Sequence, residues 1–416
     1  MSAESRGVPG ELRDDPRDPR RAVTIVHVTT VPSSLRFLHG QASFIRRAGF
    51  GLHAVSSPGS ELSAFGEREG VAIHALEMTR SMTPLKDLRA LWRLWRLLRR
   101  LRPDLVHGHT PKGGLLAMVA GWLARTPSRV YHLRGLPLLT AAGTRRRILH
   151  LTERISCGLA HRVIAVSHSM RSAALDEGLC PRDRIVVLLG GSGNGVDATG
   201  SFQPLGDEVR RATRVRHGIP LDAIVVGFVG RLVRDKGVQE LASAWRRLAA
   251  ADPRLHLLMV GMFEREDALP GDVVAALRAD PRVHLTGLDW NTPPLYAAMD
   301  VVALPTYREG FPNVLLEAAA MALPVVATAT PGCVDAVQDG VTGTLVPARD
   351  AEALAAALER YVASRALRSA HGAAGRRRVL AEFGQQAIWQ ALADEYRALT
   401  APGAAPVARP RSVPAT

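Results

Sequence analysis

TYREGFPNVLLEAAAMALPVVATATPGCV, residues 306–334, packs a strand end, a glycine turn, a helix start and the next strand into one run. Glu309 stands just before the turn Gly310-Phe311-Pro312, Glu317 falls inside the Ala/Leu-rich helix, and PVVAT (324–328) is extended. A strand that turns on glycine into a helix and then into another strand is the repeating unit of a parallel sheet. The same junction carries chemistry. The first free N–H groups of the helix and its positive dipole end suit an anion. Acids on both sides of that anion site suit a phosphate ester that also bears hydroxyls.

Outward from this run, strand and helix patterns alternate along most of the chain. Strands are expected near 23–28, 52–57, 71–76, 104–109, 129–133, 162–167 and 185–189, with helices between them. A second set begins with strands near 223–230, 255–261, 283–287 and 299–305. The expected domains are 21–204 and 219–380, both α/β, doubly wound and Rossmann-like. A linker at 205–218 joins them, and a helix over 381–400 returns toward the first domain. The tails 1–20 and 401–416 are Pro-rich and polar and are expected to be disordered. Ligands of doubly wound sheets bind at the carboxyl ends of the strands, which places a cleft between the halves.

The chain has 416 residues, 47% hydrophobic and 22% charged, as an ordinary globular protein does. Its net charge is +14, and of its 53 basic residues only Lys86, Lys112 and Lys236 are lysines. A GC-rich coding sequence explains most of the arginine; the surviving lysines mark positions where a compact ammonium suits better than a fork. Arginine is spread without aromatic interleaving, which argues against a nucleic-acid partner. Three cysteines (Cys157, Cys180, Cys333) lack metal-ligand spacing and fit a reducing cytoplasm. No apolar run reaches the roughly 18–20 residues of a membrane span.

Four clusters fall at strand ends. In FVGRLVRDKG (228–237), Gly230 is followed by Arg231, and Lys236 precedes Gly237 at a helix start. A fork and a point charge around a glycine turn suit a pyrophosphate, with a solvated basic loop as the alternative. The opening run supplies Glu309 and Glu317. VHGHTPKGG (106–114) places His107 and His109 two apart, on one side of a strand. No third ligand with sensible spacing accompanies them, so no metal site is expected. GGSGNGVD (190–197) contains a fragment of a dinucleotide fingerprint without the helix that fingerprint requires.

Together, GRLVRDKG, the E-x7-E spacing of Glu309 and Glu317, HGHTPKGG and GSGNGVD resemble glycosyltransferase family 4. These are retaining, metal-independent transferases of the GT-B fold, two Rossmann-like domains facing a cleft. HGHTPK with YREGFPN resembles the bacterial branch that builds capsules, exopolysaccharides and lipid-linked glycans. The resemblance spans about residues 23–399. It implies a nucleotide sugar, with UDP-sugar favoured, as co-substrate and no cofactor. Arg231 and Lys236 would hold the donor diphosphate, and Glu317 the ribose hydroxyls. Glu309 would meet the donor sugar, with Gly230, Gly310, Phe311, Asn313 and Val314 completing the pocket. His109 would lie near the donor sugar and acceptor oxygen, and His107, Lys112 and Arg134 on the acceptor side. The acceptor would be a glycan, or one linked to polyprenyl pyrophosphate. Three departures stand out: Arg134 where this branch often has His, GFPN for a GFG-type turn, and a long Gly-rich 190–201 segment. Alternatives are an epimerase-like enzyme of the same fold and a degenerate nucleotide-sugar binder.

Leu85, Leu88, Leu91, Leu94, Leu98 and Leu101 form one stripe of a helix from Pro84 to Leu101. Arg89, Arg93, Arg96, Arg99 and Arg100 lie elsewhere on it. The stripe reads as core-facing. The basic face, with Arg145-Arg146-Arg147, also suits an anionic membrane surface, at the inner face of the cell membrane for a cytoplasmic protein.

Overall fold

The computed structural model describes residues 22–79 and 83–402. The expected disordered tails fall outside the described residues, apart from 401 and 402. Among the described residues, thirteen strands form two sheets. The first contains β1 (Thr24–Val28), β2 (Gly51–Ser56), β3 (Ala72–Ala75), β4 (Leu105–His109), β5 (Ser128–Leu133), β6 (Arg162–Ala165) and β7 (Ile185–Val187), in the order β3-β2-β1-β4-β5-β6-β7. The second contains β8 (Ile224–Val229), β9 (Leu255–Val260), β10 (Val283–Gly287), β11 (Val301–Leu304), β12 (Val325–Thr328) and β13 (Gly343–Val346), in the order β10-β9-β8-β11-β12-β13. Every pairing is parallel. Strand order reverses between β1 and β4 in one sheet and between β8 and β11 in the other, so each sheet has one switch-point crevice.

The strands read as unbroken apolar runs because helices cover both faces. Along β1, Ile25 and Val26 point to opposite sides, as a two-residue period requires. Val26 joins Val106, Tyr131 and Val163 against Leu94, Leu98 and Met118 of the covering helices. Ile25 joins Leu105, Val130 and Ile164 against Leu392, Ala393 and Tyr396 of the helix Gln385–Thr400. That final helix therefore lies on the first sheet, where Ser128 Oγ donates to Leu399 O at 2.7 Å.

Two expectations are corrected. Residues 205–218 are not an irregular linker: they hold the helix Asp207–Arg216, which packs against the helix Thr292–Ala298. Its polarity disguised it, because the side chain that anchors it is an arginine. Arg214 is buried and donates to Ala298 O at 3.0–3.1 Å and to Asp300 Oδ2 at 2.9 Å. The Pro84–Leu101 stripe is also core-facing only in part. Ala90, Leu94 and Leu98 are buried, while Leu85 is 86% and Leu88 64% exposed. Eighteen helical residues extend about 27 Å, and a five-residue strand only about 17 Å, so the first turns overhang the sheet.

Candidate functional site

The second sheet supplies one wall of the cleft at the ends of β8 and β11. Gly230 follows β8, and Arg231 beside it pairs with Glu264 at 2.9 Å. Lys236 ends a short helical turn, and Gly237 behind it has φ +69°. A Cβ on Gly237 would stand 1.8 Å from the carbonyl oxygen of Pro305, so only glycine lets this turn press against the end of β11. That close approach brings Lys236 to the opening motif, where its Nζ is ion-paired with Glu309 Oε1.

The helix Asn313–Ala320 starts directly after Pro312, and no side chain caps its N-terminus. Its first N–H groups and dipole thus face the same turn. Glu317 lies one turn along, with Tyr296 Oη donating to its Oε2 at 2.8 Å and to Val314 O at 3.3 Å. Burial pushes the Glu317 carboxyl up to about 7, against the pull of the Tyr296 bond. Phe311 packs against Phe383 with the rings tilted by 53° and their centroids 5.5 Å apart.

The first sheet supplies the opposite wall. His27 on β1, His107 and His109 on β4, and His132 on β5 are buried side by side, because parallel register sets His27 opposite His107 and His109 opposite His132. His27 Nδ1 lies 2.9 Å from His109 Nε2, His107 Nδ1 2.6 Å from Tyr396 Oη, and His132 Nδ1 3.2 Å from His107 Nε2. Arg134 Nε donates to His109 Nδ1 at 3.3 Å. That bond makes Nδ1 the acceptor and leaves the proton on Nε2, which donates to His27. Both ring nitrogens of His109 are thus engaged within the protein. Burial holds all four imidazoles below the usual histidine range, His27 at about 3, and the Arg134 charge adds to this. The cluster is neutral at physiological pH.

Sequence spacing offered no third metal ligand beside His107 and His109, but the fold brings one. Ring nitrogens of His27, His107 and His109 lie within 4.8 Å of one another. His27 and His109 hydrogen-bond to each other instead, and a guanidinium lies against them. The guanidinium charge beside these imidazoles opposes a divalent ion there.

Lys112 is held on the first-domain side by Asp87 at 2.5 Å and Thr79 at 2.9 Å. Hydrogen bonds and a cation–π contact join the walls. Ser167 Oγ donates to Gly310 O at 2.9 Å, and Ser192 Oγ to Asn313 Oδ1 at 3.0 Å. Asp335 accepts from the N–H groups of His168 and Ser169 at 3.0 and 3.2 Å, at the start of the helix His168–Asp176. Arg36 lies 3.1 Å over the ring of Trp290. Arg231, Lys236, Glu309, Gly310 and Glu317 therefore share one wall, with His107, His109 and Arg134 on the other. Sequence reasoning missed His27, His132, Tyr396, Ser167, Ser192 and Asp335. The histidines carried a usable signal, at least one imidazole near the end of each of three strands.

The chain is similar to known proteins in sequence and in fold. The family model described as glycosyl transferases group 1 matches residues 223–364, and the glycosyl transferase 4-like domain matches 16–191. The chain is 32% identical over 372 residues to the capsular polysaccharide biosynthesis glycosyltransferase CapM of Staphylococcus aureus, covering 89% of this chain and 96% of that protein. It is 33% identical over 337 residues to the D-inositol 3-phosphate glycosyltransferase of Geodermatophilus obscurus, covering 75% and 70%. The crystal structure of Anabaena HepE in complex with UDP-glucose superimposes with a TM-score of 0.75 at 22% identity, over 90% of this chain and 99% of that one. WaaG, a glycosyltransferase involved in lipopolysaccharide biosynthesis, gives 0.68 at 17%, over 89% and 98%. The architecture is the GT-B fold.

Proposed function

The chain belongs to glycosyltransferase family 4, among the bacterial polysaccharide glycosyltransferases, and we propose that it is a retaining, metal-independent hexosyl- or N-acetylhexosaminyltransferase that uses a UDP-sugar. The observation that carries this reading is the second-domain wall. Arg231 and Lys236 stand at one strand end, beside the open N-terminus of the Asn313–Ala320 helix. Glu309 and Glu317 flank that helix start. Cations and N–H groups suit the diphosphate, and the two carboxyls suit hydroxyls of the sugar and ribose.

Glycosyl transfer builds positive charge on the sugar ring and negative charge on the departing phosphate. Lys236 neutralises Glu309 through their ion pair. A diphosphate draws the ammonium toward itself, which frees the Glu309 carboxylate to accept from sugar hydroxyls. Arg231, Lys236 and the helix dipole then stabilise the leaving group without solvent reorganisation. The departing phosphate takes the acceptor proton on the same face of the ring, so configuration is retained. His109, with both nitrogens engaged, serves here as a support of the acceptor wall.

The proposed acceptor is a glycan, free or linked to polyprenyl pyrophosphate, met at the inner face of the membrane. Exposed Leu85, Leu88 and Trp92 stand beside Lys86, Arg89 and Arg93, which line a small pocket with Glu77 and Thr79. The helix Gly143–Leu159 adds exposed Ile148, Leu151 and Ile155 after Arg145-Arg146-Arg147. Apolar anchors with basic neighbours suit anionic lipid. No helix among the described residues is long and apolar enough to cross a membrane.

A panel of UDP- and GDP-sugars tests the reading, scored for donor hydrolysis and for transfer to an undecaprenyl-linked acceptor, with and without EDTA. Turnover of a UDP-sugar that survives EDTA, with the anomeric configuration kept in the product, is the expected result. Nucleotide binding without turnover of any donor would identify a degenerate binder.

A further inference from the structure

The first-domain wall holds a cation that the protein leaves without a counter-ion. Arg134 follows β5, and its guanidinium lies 4.6 Å over the ring of Phe37 with Nε on His109. A Cβ on Gly193 would stand 2.1 Å from Arg134 Nη1, and one on Gly310 would stand 1.9 Å from the Arg134 carbonyl oxygen. The residue therefore sits where the two domains meet, against the turn that opens the donor motif. Its Nη2 is buried with no hydrogen-bond partner, and no carboxylate pairs with it among the described residues.

Its surroundings do not compensate it. The ionisable groups against it are Tyr396 and the imidazoles of His27, His107, His109 and His132, all neutral. Uncompensated burial pushes the guanidinium down to about 9. Arg214 shows how this protein treats a buried guanidinium that serves only the fold: Asp300 and the carbonyls of Leu221, Ala223 and Ala298 surround it. Desolvating a guanidinium without a counter-ion is costly, and a ligand anion recovers part of that cost on binding. Arg231 and Lys236 on the far wall already answer the charge of a nucleotide diphosphate.

We propose that Arg134 is the anion subsite of the acceptor, receiving a carboxylate or phosphate group carried next to the hydroxyl that is glycosylated. The inference rests on the transferase reading. Two sources share this chemistry, an acidic sugar and a lipid-linked pyrophosphate. His109 acts as a positioning residue that holds the Nε edge, and Nη2 is the donor left for the incoming oxygens to satisfy.

The test uses the full chain with methyl glucuronide against methyl glucoside, and farnesyl pyrophosphate against farnesol. Binding is followed by calorimetry with and without saturating UDP, in wild type, Arg134→Gln and Arg134→Lys. Wild type is expected to bind one charged probe over its neutral counterpart when UDP is bound, and the probe that binds names the source. Arg134→Gln is expected to lose at least about tenfold of that affinity, and Arg134→Lys to recover part of it, a charge without the fork. UDP affinity is expected to stay the same in all three proteins. Charged-probe binding that is equal in wild type and Arg134→Gln, or absent from wild type, overturns the subsite. Failure of wild type to bind UDP counts instead against the transferase reading, and the comparison between variants is still read without UDP.

Discussion

Glu317 links the proposed donor pocket to the stability of its domain, and replacing it with glutamine separates the two. Its carboxyl moves from 4.5 to about 7 on folding, chiefly through burial, with the 2.8 Å bond from Tyr296 opposing the rise. At ~1.4 kcal/mol per pH unit, ionising it costs ~3 kcal/mol more in the folded protein than in the unfolded chain. The folded state holds the proton more tightly. The stability this proton contributes is therefore complete below pH 4.5 and is lost as pH rises through about 7. Above that, the native protein carries a buried carboxylate at full cost. Glu317→Gln has no proton to lose. Guanidinium melts across pH 5–8 should show the two proteins close together at the acid end. At the alkaline end the variant should be more stable by ~2–3 kcal/mol. Glu153 is also pushed up to about 7 by burial, but it is common to both proteins and cancels in the difference. Ribose hydroxyls would donate to the carboxylate, so wild-type UDP affinity should rise with pH over the same interval, and the variant should lose both the affinity and the trend. Tyr296→Phe should move the wild-type transition to higher pH. A stability difference that stays flat across pH would refute the assignment of a buried, proton-bearing Glu317.

Lys236→Ala or Glu309→Ala should lower transfer by at least ~10²-fold, the scale of losing a preorganised charge at the reacting centre, while circular dichroism and melting stay near wild type; full activity in both would sink the site. In Gly310→Ala the new methyl would sit 1.9 Å from the Arg134 carbonyl and hold the walls apart. Transfer should fall by ~10²-fold through misplacement, with UDP affinity nearly intact, and solution scattering should show an opened particle. Asp300→Ala should destabilise the protein by ~3–5 kcal/mol, because it strips the buried Arg214 of its carboxylate; a denaturation midpoint unchanged from wild type would contradict this.

The wall proposed to bind the donor could be read along the chain because each of its parts is local. Arg231 and Lys236 belong to one strand-turn-helix, and Glu309 and Glu317 to another, and sheet chemistry brings such turns to the same edge. The direct pairing of Lys236 with Glu309 could not be read, since it depends on Gly237 packing against Pro305. The acceptor wall was far less visible. Its histidines come from strands up to about a hundred residues apart, and the tyrosine that completes the cluster arrives on the last helix. The helix Asp207–Arg216 was hidden for a related reason, because an arginine can be a core anchor only when a distant aspartate waits for it.

By itself the amino-acid order determined the alternation of strands and helices, the two-sheet architecture and the glycine turns proposed to carry the donor chemistry. Periodicity and turn preference act within a few residues, so no distant contact is needed to recognise them. Tertiary structure alone decided which charges find partners. It buried four imidazoles together, gave Arg214 an aspartate and left Arg134 with none among the described residues. Those outcomes depend on burial and on neighbours remote in the chain, and desolvation makes the same side chain a structural anchor in one place and an open cation in another.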